Sequence, residues 1–154
     1  MVNKRRLYNS IMESISMEVK RALNETFLPS NNYTLSNSKK VVVNSKDELR
    51  KIIEDQCEKD PRGSLNWVDT SRITDMSYLF KDTDYNGDIS EWDTSNVTDM
   101  SHMFYKAESF NQPIADWDVR EVTNMSYMFW GAKSFNQPIG DWDVSNVTNM
   151  SGMF

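Results

Sequence analysis

The sequence has few of the residues from which many functional sites are built. Its 154 residues include one cysteine, Cys57, and one histidine, His102. A lone cysteine excludes an internal disulfide framework, so Cys57 is interpreted as a small core residue. No stretch of the sequence reaches the roughly 18 consecutive apolar residues that a membrane-spanning helix needs. We therefore expect one ordinary domain, or a small domain with an extension, built around a hydrophobic core.

The N-terminus also lacks the pattern of an export signal. The basic residues Lys4, Arg5 and Arg6 are typical of the start of a signal peptide, but Ser, Glu and Asn interrupt the sequence that follows them. A signal peptide needs an apolar core of about 7–15 residues at this point. The sequence as written therefore predicts a protein that is not exported.

Charge is unevenly distributed along the chain. There are 17 Lys and Arg residues against 23 Asp and Glu, a net charge of −6 that argues against general nucleic-acid binding. Residues 1–63 hold 12 basic and 9 acidic residues (+3), whereas residues 64–154 hold 5 and 14 (−9). We expect a partner of the acidic half to be a protein surface that is cationic, polar or aromatic.

Two segments precede the first compact unit. Apolar residues between Leu7 and Leu23 recur at steps of three and four, which predicts an amphipathic helical leader over residues 1–28. This helix is expected either to dock on the rest of the protein or to bind a groove of a partner. Residues 29–39 are polar and predict a linker.

Residues 40–63 predict a short βα unit. Three successive valines from Val41 predict a strand, and Ser45 with Glu48 forms a capping box that predicts the start of a helix. Pro61 is expected to end that helix. Because this unit directly precedes a repeat array, we interpret it as an N-terminal cap that covers the first repeat.

Residues 64–154 consist of about four repeats, the last incomplete. The repeats read VDTSRITDMSYLF from Val68, WDTSNVTDMSHMF from Trp92, WDVREVTNMSYMF from Trp117 and WDVSNVTNMSGMF from Trp142. The 24–25-residue period is typical of coils that stack on their neighbours. Within a repeat, the spacing I-x-x-W-x-V matches the L-x-x-L-x-L of leucine-rich repeats. The predicted fold class is an α/β solenoid with short parallel strands and irregular or helical returns.

Apolar side chains recur in phase and predict a stacked core. This interpretation is preferred over ligand stacking or metal binding because the repeats have no other means of burying a core. The predicted core columns are Trp92, Trp117 and Trp142; Met100, Met125 and Met150; and Phe104, Phe129 and Phe154.

Acidic residues on the opposite side of the predicted strands form what we call the acidic strip. One interpretation is architectural, with each aspartate accepting hydrogen bonds from Ser or Thr in the following turn. The other is a binding surface for a basic partner or loosely held Ca²⁺, although no EF-hand spacing occurs. The candidate partner-binding residues are Asp69, Glu91, Asp93, Asp116, Asp118, Asp141 and Asp143, with Ser95, Ser145 and Asn146 beside them.

The sequence gives no pattern for catalysis, and we expect neither an enzyme nor a cofactor. His102 is replaced by Tyr or Gly in the other repeats, so it is expected to be a variable, solvent-facing residue. Asp116 and Asp118 could serve as an acid–base pair, but a similar pair recurs in the neighbouring repeats, which indicates architecture.

The repeated unit FNQPIxDWDVSNVTNMSxMF closely resembles the BspA-like leucine-rich-repeat family of bacterial surface proteins, mycoplasma lipoproteins and some protist and viral proteins. The resemblance covers residues 64–154, and residues 40–63 are similar to the segment that often precedes such arrays. It implies a solenoid used for adhesion or protein binding without enzymatic activity. The sequence departs from the family's surface proteins because it shows neither an export signal nor a lipoprotein cysteine.

The leading hypothesis is a non-enzymatic protein-binding or adhesion module that presents the strand face of its repeats. As an alternative, the leader KRRLYNSIMESISMEVKRALNE resembles those of phage proteins from gut Bacteroidetes, which implies a virion-associated or host-interaction protein anchored by this helix. As written, the sequence predicts a cytoplasmic or virion-associated protein. Because Phe154 closes no coil, we also expect self-association or chain continuation at that end.

Overall fold

A computed structural model of the protein describes residues 40–154. The leader helix predicted over 1–28 and the linker predicted over 29–39 lie outside these residues. In chain order, the described part contains strand β1 (Val41–Val42), helix α1 (Lys46–Lys59) and strand β2 (Val68–Asp69). No helix in this part combines the length and the apolar character required to cross a membrane.

Helix α1 begins where the capping residues predicted it. The Ser45 side chain accepts the N–H of Glu48, and the Glu48 carboxylate accepts the N–H of Asn44 at 2.9 Å. In the usual capping box the glutamate bonds the cap residue itself, so here the reciprocal bond has moved by one residue. Leu49, Ile52 and Ile53 on one face of α1 are buried, and they join the same hydrophobic core as the repeats.

Strands β1 and β2 pair in parallel, with Val41 opposite Val68 and Val42 opposite Asp69. This pairing joins the first repeat to the segment that precedes α1. The side chains of Val41, Val43 and Val68 are buried in the core. The βα unit therefore packs against the first repeat through both backbone pairing and apolar contact.

Successive repeats, which we call coils 1–4 and which begin at Val68, Trp92, Trp117 and Trp142, are joined by backbone hydrogen bonds. In coil 1, the N–H groups of Met76, Tyr78 and Phe80 donate to the carbonyls of Asp99, Ser101 and Met103 in coil 2, at 2.9–3.1 Å. Equivalent bonds join coil 2 to coil 3 and coil 3 to coil 4. We call this set of bonds the inter-coil ladder.

The inter-coil ladder does not lie where the Trp-x-Val spacing placed the predicted strands. Parallel bridges connect Asp75, Asp99, Asn124 and Asn149, which lie about seven residues after the start of each repeat. The segments that begin at Trp92, Trp117 and Trp142 have no regular secondary structure and lie between turns, although Trp117 and Val119 are both buried as the alternation predicted. The alternation of apolar and polar residues reflects packing against the core. The prediction of a strand at this position was wrong for these coils.

Most of the predicted core columns are buried, including the Trp column and the Met and Phe residues of coils 2 and 3. The Phe rings stack in parallel from coil to coil, with centroid separations of 5.2 Å for Phe80 and Phe104 and 5.5 Å for Phe104 and Phe129. Met150 and Phe154 were predicted in the core but are exposed, because no described coil lies over coil 4. The leucine-rich-repeat solenoid itself stays a prediction.

Each tryptophan of the Trp column also bonds to the residue three positions before the start of the preceding coil. The indole N–H of Trp92 donates to the carbonyl of Leu65, that of Trp117 to Ile89 and that of Trp142 to Ile114, at 3.0–3.2 Å. These bonds are buried, and each of the three carbonyls also accepts a backbone N–H three residues later, so each indole both fills the core and adds a second donor to a carbonyl. Tryptophan is therefore required at this position for a reason beyond its size.

We predict that Trp117→Phe destabilises the protein by about 2 kcal/mol or more, because it removes ring volume and the buried indole bond, which leaves the Ile89 carbonyl with only the backbone N–H of Trp92 as donor. Urea denaturation followed by circular dichroism measures the effect. Trp130→Phe is the matched control, since Trp130 is 40% exposed and its indole N–H has no hydrogen-bond partner within residues 40–154. Equal losses for the two variants would contradict a special role of the indole bond.

Candidate functional site

The aspartates that follow the Trp column close a turn in every coil. Asp93 accepts the backbone N–H of Ser95 at 3.0 Å and the Ser95 hydroxyl at 2.6 Å. Asp69, Asp118 and Asp143 accept the backbone N–H two positions later in the same way, at 3.0–3.1 Å. This is the geometry of an Asx turn. Four of the seven acids of the acidic strip therefore have an architectural use.

These hydrogen bonds stabilise the charged form of the carboxylates. The bonds from Ser71 lower the pKa of Asp69, and those from Ser145 lower the pKa of Asp143. The pKa of Asp118 falls to about 2, because the Arg120 guanidinium donates to both carboxylate oxygens at 2.9 and 2.7 Å. The lowered pKa values keep Asp69, Asp118 and Asp143 ionised at neutral pH as fixed acceptors.

The remaining residues of the acidic strip do not converge on one point. Glu91 pairs with Lys40 at 3.1 Å, and Asp116 and Asp141 are exposed. The Asn146 amide donates to the Arg120 carbonyl of the preceding coil at 2.7 Å. Among residues 40–154, no group of three or more acidic, His or Cys side chains is arranged to hold a metal ion. The Ca²⁺ interpretation therefore gains no support from the described residues.

A second polar column was missed by the sequence reasoning. Asp75, Asp99, Asn124 and Asn149 each accept the backbone N–H of the serine two positions later, at 2.7–3.1 Å. Asp occupies this column in two coils and Asn in the other two. The function common to both is a side-chain oxygen, so the column needs an acceptor and not a charge. The replacement of Asp by Asn between repeats was the signal in the sequence that could have identified this column.

We predict that Asp93→Asn keeps the stability of the protein within about 0.5 kcal/mol, because the amide oxygen still accepts the Ser95 bonds. Asp93→Ala removes the acceptor and is expected to cost about 1 kcal/mol. Urea denaturation of both variants measures the difference. An equal loss for Asn and Ala would show that the charge of Asp93, and not its hydrogen bond, stabilises the coil.

On the outer side of the inter-coil ladder, aromatic rings from successive coils stack in two columns. His102 lies between Tyr78 and Tyr127, with centroid separations of 4.5 and 5.0 Å. Beside them, Tyr105 stacks on Trp130 at 5.0 Å. Tyr78, Tyr127 and Trp130 are each about 40% exposed. We call these five residues the ring face.

Three lysines border the ring face. The Lys46 ammonium lies 5.9 Å from the Tyr78 centroid, and Lys81 lies 5.7 Å from Tyr78 and 5.6 Å from Tyr105. Lys106 lies 5.5 Å from Tyr105 and 5.7 Å from Trp130. These distances fall within the range of cation–π attraction. The lysine charges are therefore held along the rings.

The first ring column stands on unusual backbone. Tyr78, His102 and Tyr127 have φ angles of +63°, +55° and +55°, and Gly152 occupies the same position in coil 4 with φ +60°. Positive φ costs a residue with a side chain about 1 kcal/mol or more relative to glycine. Three coils nevertheless place a ring where glycine would be less strained, and stacking between the rings offsets part of this cost.

His102 lies on the outer surface, as predicted, but it is not fully exposed to solvent. The His102 ring is only partly exposed between the two tyrosines, and its Nδ1 atom is buried without a hydrogen-bond partner among the described residues. Desolvation, followed by the nearby charge of Lys81, lowers the pKa of His102, and Asp99 opposes this shift. This position varies between repeats, and such variation is typical of an exposed residue. The sequence therefore did not indicate that His102 lies between two rings.

A lowered pKa of His102 means that the unfolded chain binds this proton more readily than the folded protein does. Stability from this residue is therefore fully present above its ordinary pKa of about 6.5 and is lost as the pH falls below it. We predict that the wild type loses more unfolding free energy between pH 7.5 and 5.5 than His102→Tyr, which carries the side chain of both neighbouring coils. Urea denaturation at several pH values tests this, and parallel pH curves for the two proteins would contradict it.

Comparisons with known proteins identify a family but no characterised relative. No curated protein and no solved structure matches the chain in these comparisons. A family model described as "Mycoplasma protein of unknown function, DUF285" matches residues 48–154, which include most of α1 and all four coils. Because the match covers more than half of the sequence, the chain belongs to this DUF285 family.

Proposed function

We propose that this protein is a non-enzymatic protein-binding module of the leucine-rich-repeat type, in which the stacked coils serve as a rigid scaffold for a recognition surface. Backbone bonds in the same register between all four coils and a continuous core of Trp, Met and Phe support this proposal. A scaffold of this kind holds exposed side chains in fixed positions, which lowers the entropy cost of binding.

The observation on which this proposal rests is the ring face. Tyr78, Tyr127 and Trp130 are large aromatic residues held partly in solvent by a buried scaffold. Tyr and Trp are over-represented among the residues that contribute most binding energy at protein interfaces. Adjacent exposed aromatic rings on a monomer are typical of an interaction surface.

Differences between the four coils also favour the ring face over the acidic strip. The aspartates represented by Asp93 are identical in all four coils and are occupied by their own turns. The position of Tyr78 is Tyr, His, Tyr and Gly in successive coils, and the position of Tyr105 is Lys, Tyr and Trp. Residues that the scaffold does not require are free to be selected for a partner. Binding of a basic partner to the acidic strip is the alternative that the experiment below must distinguish from binding at the ring face.

The virion-associated alternative depends on the leader over residues 1–28, which lies outside the described residues. It therefore stays an expectation from the sequence. The same applies to adhesion as the specific purpose of binding.

The proposal is tested by selecting peptides from a random display library on the immobilised full-length protein. We expect enriched peptides whose binding is reduced at least about tenfold by a double substitution of the ring face, Tyr105→Ser with Trp130→Ser. The matched control is Asp116→Asn with Asp141→Asn, which alters two exposed acids of the acidic strip.

Two results would overturn the proposal. The first is the absence of any enriched peptide, which would remove the binding function. The second is loss of binding in the acidic-strip control with full binding in the ring-face variant, which would move the site to the strip. Unfolding curves of both variants must match the wild type, so that lost binding is not lost folding.

A further inference from the structure

We infer that the ring face recognises an acidic peptide segment in which carboxylate residues alternate with aromatic ones. This inference rests on the proposed function and names the partner's chemistry. It reverses the sign of charge that the composition of residues 64–154 suggested, because the ring face differs from the rest of the repeat surface.

The exposed parts of the first ring column are mainly ring edges. His102 is covered on one side by Tyr78 and on the other by Tyr127, so the faces of these rings lie against each other. Aromatic edges carry partial positive charge, and tyrosine adds a hydroxyl donor. Such a surface favours carboxylates and the faces of further aromatic rings, which it contacts edge to face.

Positive charge is concentrated beside these rings. Residues 64–154 contain only five Lys and Arg residues against 14 Asp and Glu. Two of the five, Lys81 and Lys106, lie against the ring face, and Lys46 of α1 joins them. Lys106 contacts two rings but forms no ion pair with any residue of the described range. Its ammonium is therefore available to a ligand carboxylate.

The acidic groups nearest the ring face are already occupied. Asp75 accepts two bonds from Lys46 at 3.0 Å and the N–H of Ser77 at 2.8 Å. Asp99 accepts the N–H of Ser101 at 2.7 Å and the side-chain amide of Asn124 at 3.2 Å. These bonds disperse the negative charge of both carboxylates. Of the three bordering lysines, Lys46 pairs with Asp75 and Lys81 with Asp82 at 3.8 Å, so Lys106 is the ammonium that is unpaired among the described residues.

The acidic remainder of the surface strengthens the argument for this site. An acidic peptide is repelled by the acidic strip, which holds seven acids against two arginines, Arg72 and Arg120, on its turns. Charge complementarity is thus placed at the ring face, where Lys46, Lys81 and Lys106 lie against the rings. The partner we propose is a segment of another protein, because its backbone can also accept bonds from the tyrosine hydroxyls.

Three labelled ten-residue peptides test the inference with the full-length protein: alternating Glu–Tyr, alternating Gln–Tyr and alternating Lys–Tyr. We expect fluorescence anisotropy to show that Glu–Tyr binds at least about tenfold more tightly than Gln–Tyr. Glu–Tyr binding is also expected to weaken as the salt concentration rises from about 50 to about 300 mM. Lys–Tyr is expected to bind more weakly than Gln–Tyr at the ring face.

Matched charge reversals locate the site. Lys106→Glu is expected to weaken Glu–Tyr binding about tenfold, whereas Lys133→Glu, the same change at a lysine paired with Glu108, leaves it nearly unchanged. Equal losses in the two variants would indicate a general charge effect and overturn the inference. Tighter binding of Lys–Tyr would also overturn it, as would tighter binding of a single-stranded oligonucleotide than of Glu–Tyr.

The outcomes separate this inference from the proposed function. If library peptides bind at the ring face but show no preference for acidic residues, the protein-binding function stands and the acidic partner is wrong. If no peptide binds at the ring face, both fail.

Discussion

The inter-coil ladder is the constraint on which the rest of the structure depends. Each coil donates N–H groups, such as those of Met100 and Phe104, to carbonyls of the next coil, so the backbone of one coil is completed only by its neighbour. A buried backbone group without a partner is costly, and this fixes the register between coils. The near-constant 24–25-residue period follows, because it brings equivalent donors and acceptors of successive coils opposite one another.

Because the register between coils is fixed, equivalent residues of successive repeats stack in columns. For Phe104 between Phe80 and Phe129 the result is favourable, because parallel rings stack and exclude water. For aspartate it is unfavourable, because like charges approach one another. The Asx turns resolve this conflict by giving each carboxylate its own N–H donors, as Ser95 does for Asp93. What resembled a binding strip in the sequence is therefore largely the means by which the stack tolerates its acids.

Periodicity predicted what depends on side-chain character. The buried state of Trp117, the stacking of the Phe residues and the start of α1 after Ser45 all follow from apolar spacing and capping chemistry, and the structure agrees. The position of the ladder could not be obtained in this way. A strand and an irregular segment packed against a core can both bury Trp117 and Val119 and partly expose the residue between them. The sequence pattern therefore favoured a strand where none forms.

The ring face was beyond prediction for a different reason. The position of its first ring column depends on positive φ, and no residue type encodes this when Tyr78, His102, Tyr127 and Gly152 share the conformation. The ladder and core impose it, so residues there change without altering the fold, and each new side chain still projects outward. A surface of this kind can diversify while the ladder and the core keep the fold. This is why we locate recognition at the variable, strained positions and assign architecture to the invariant aspartates.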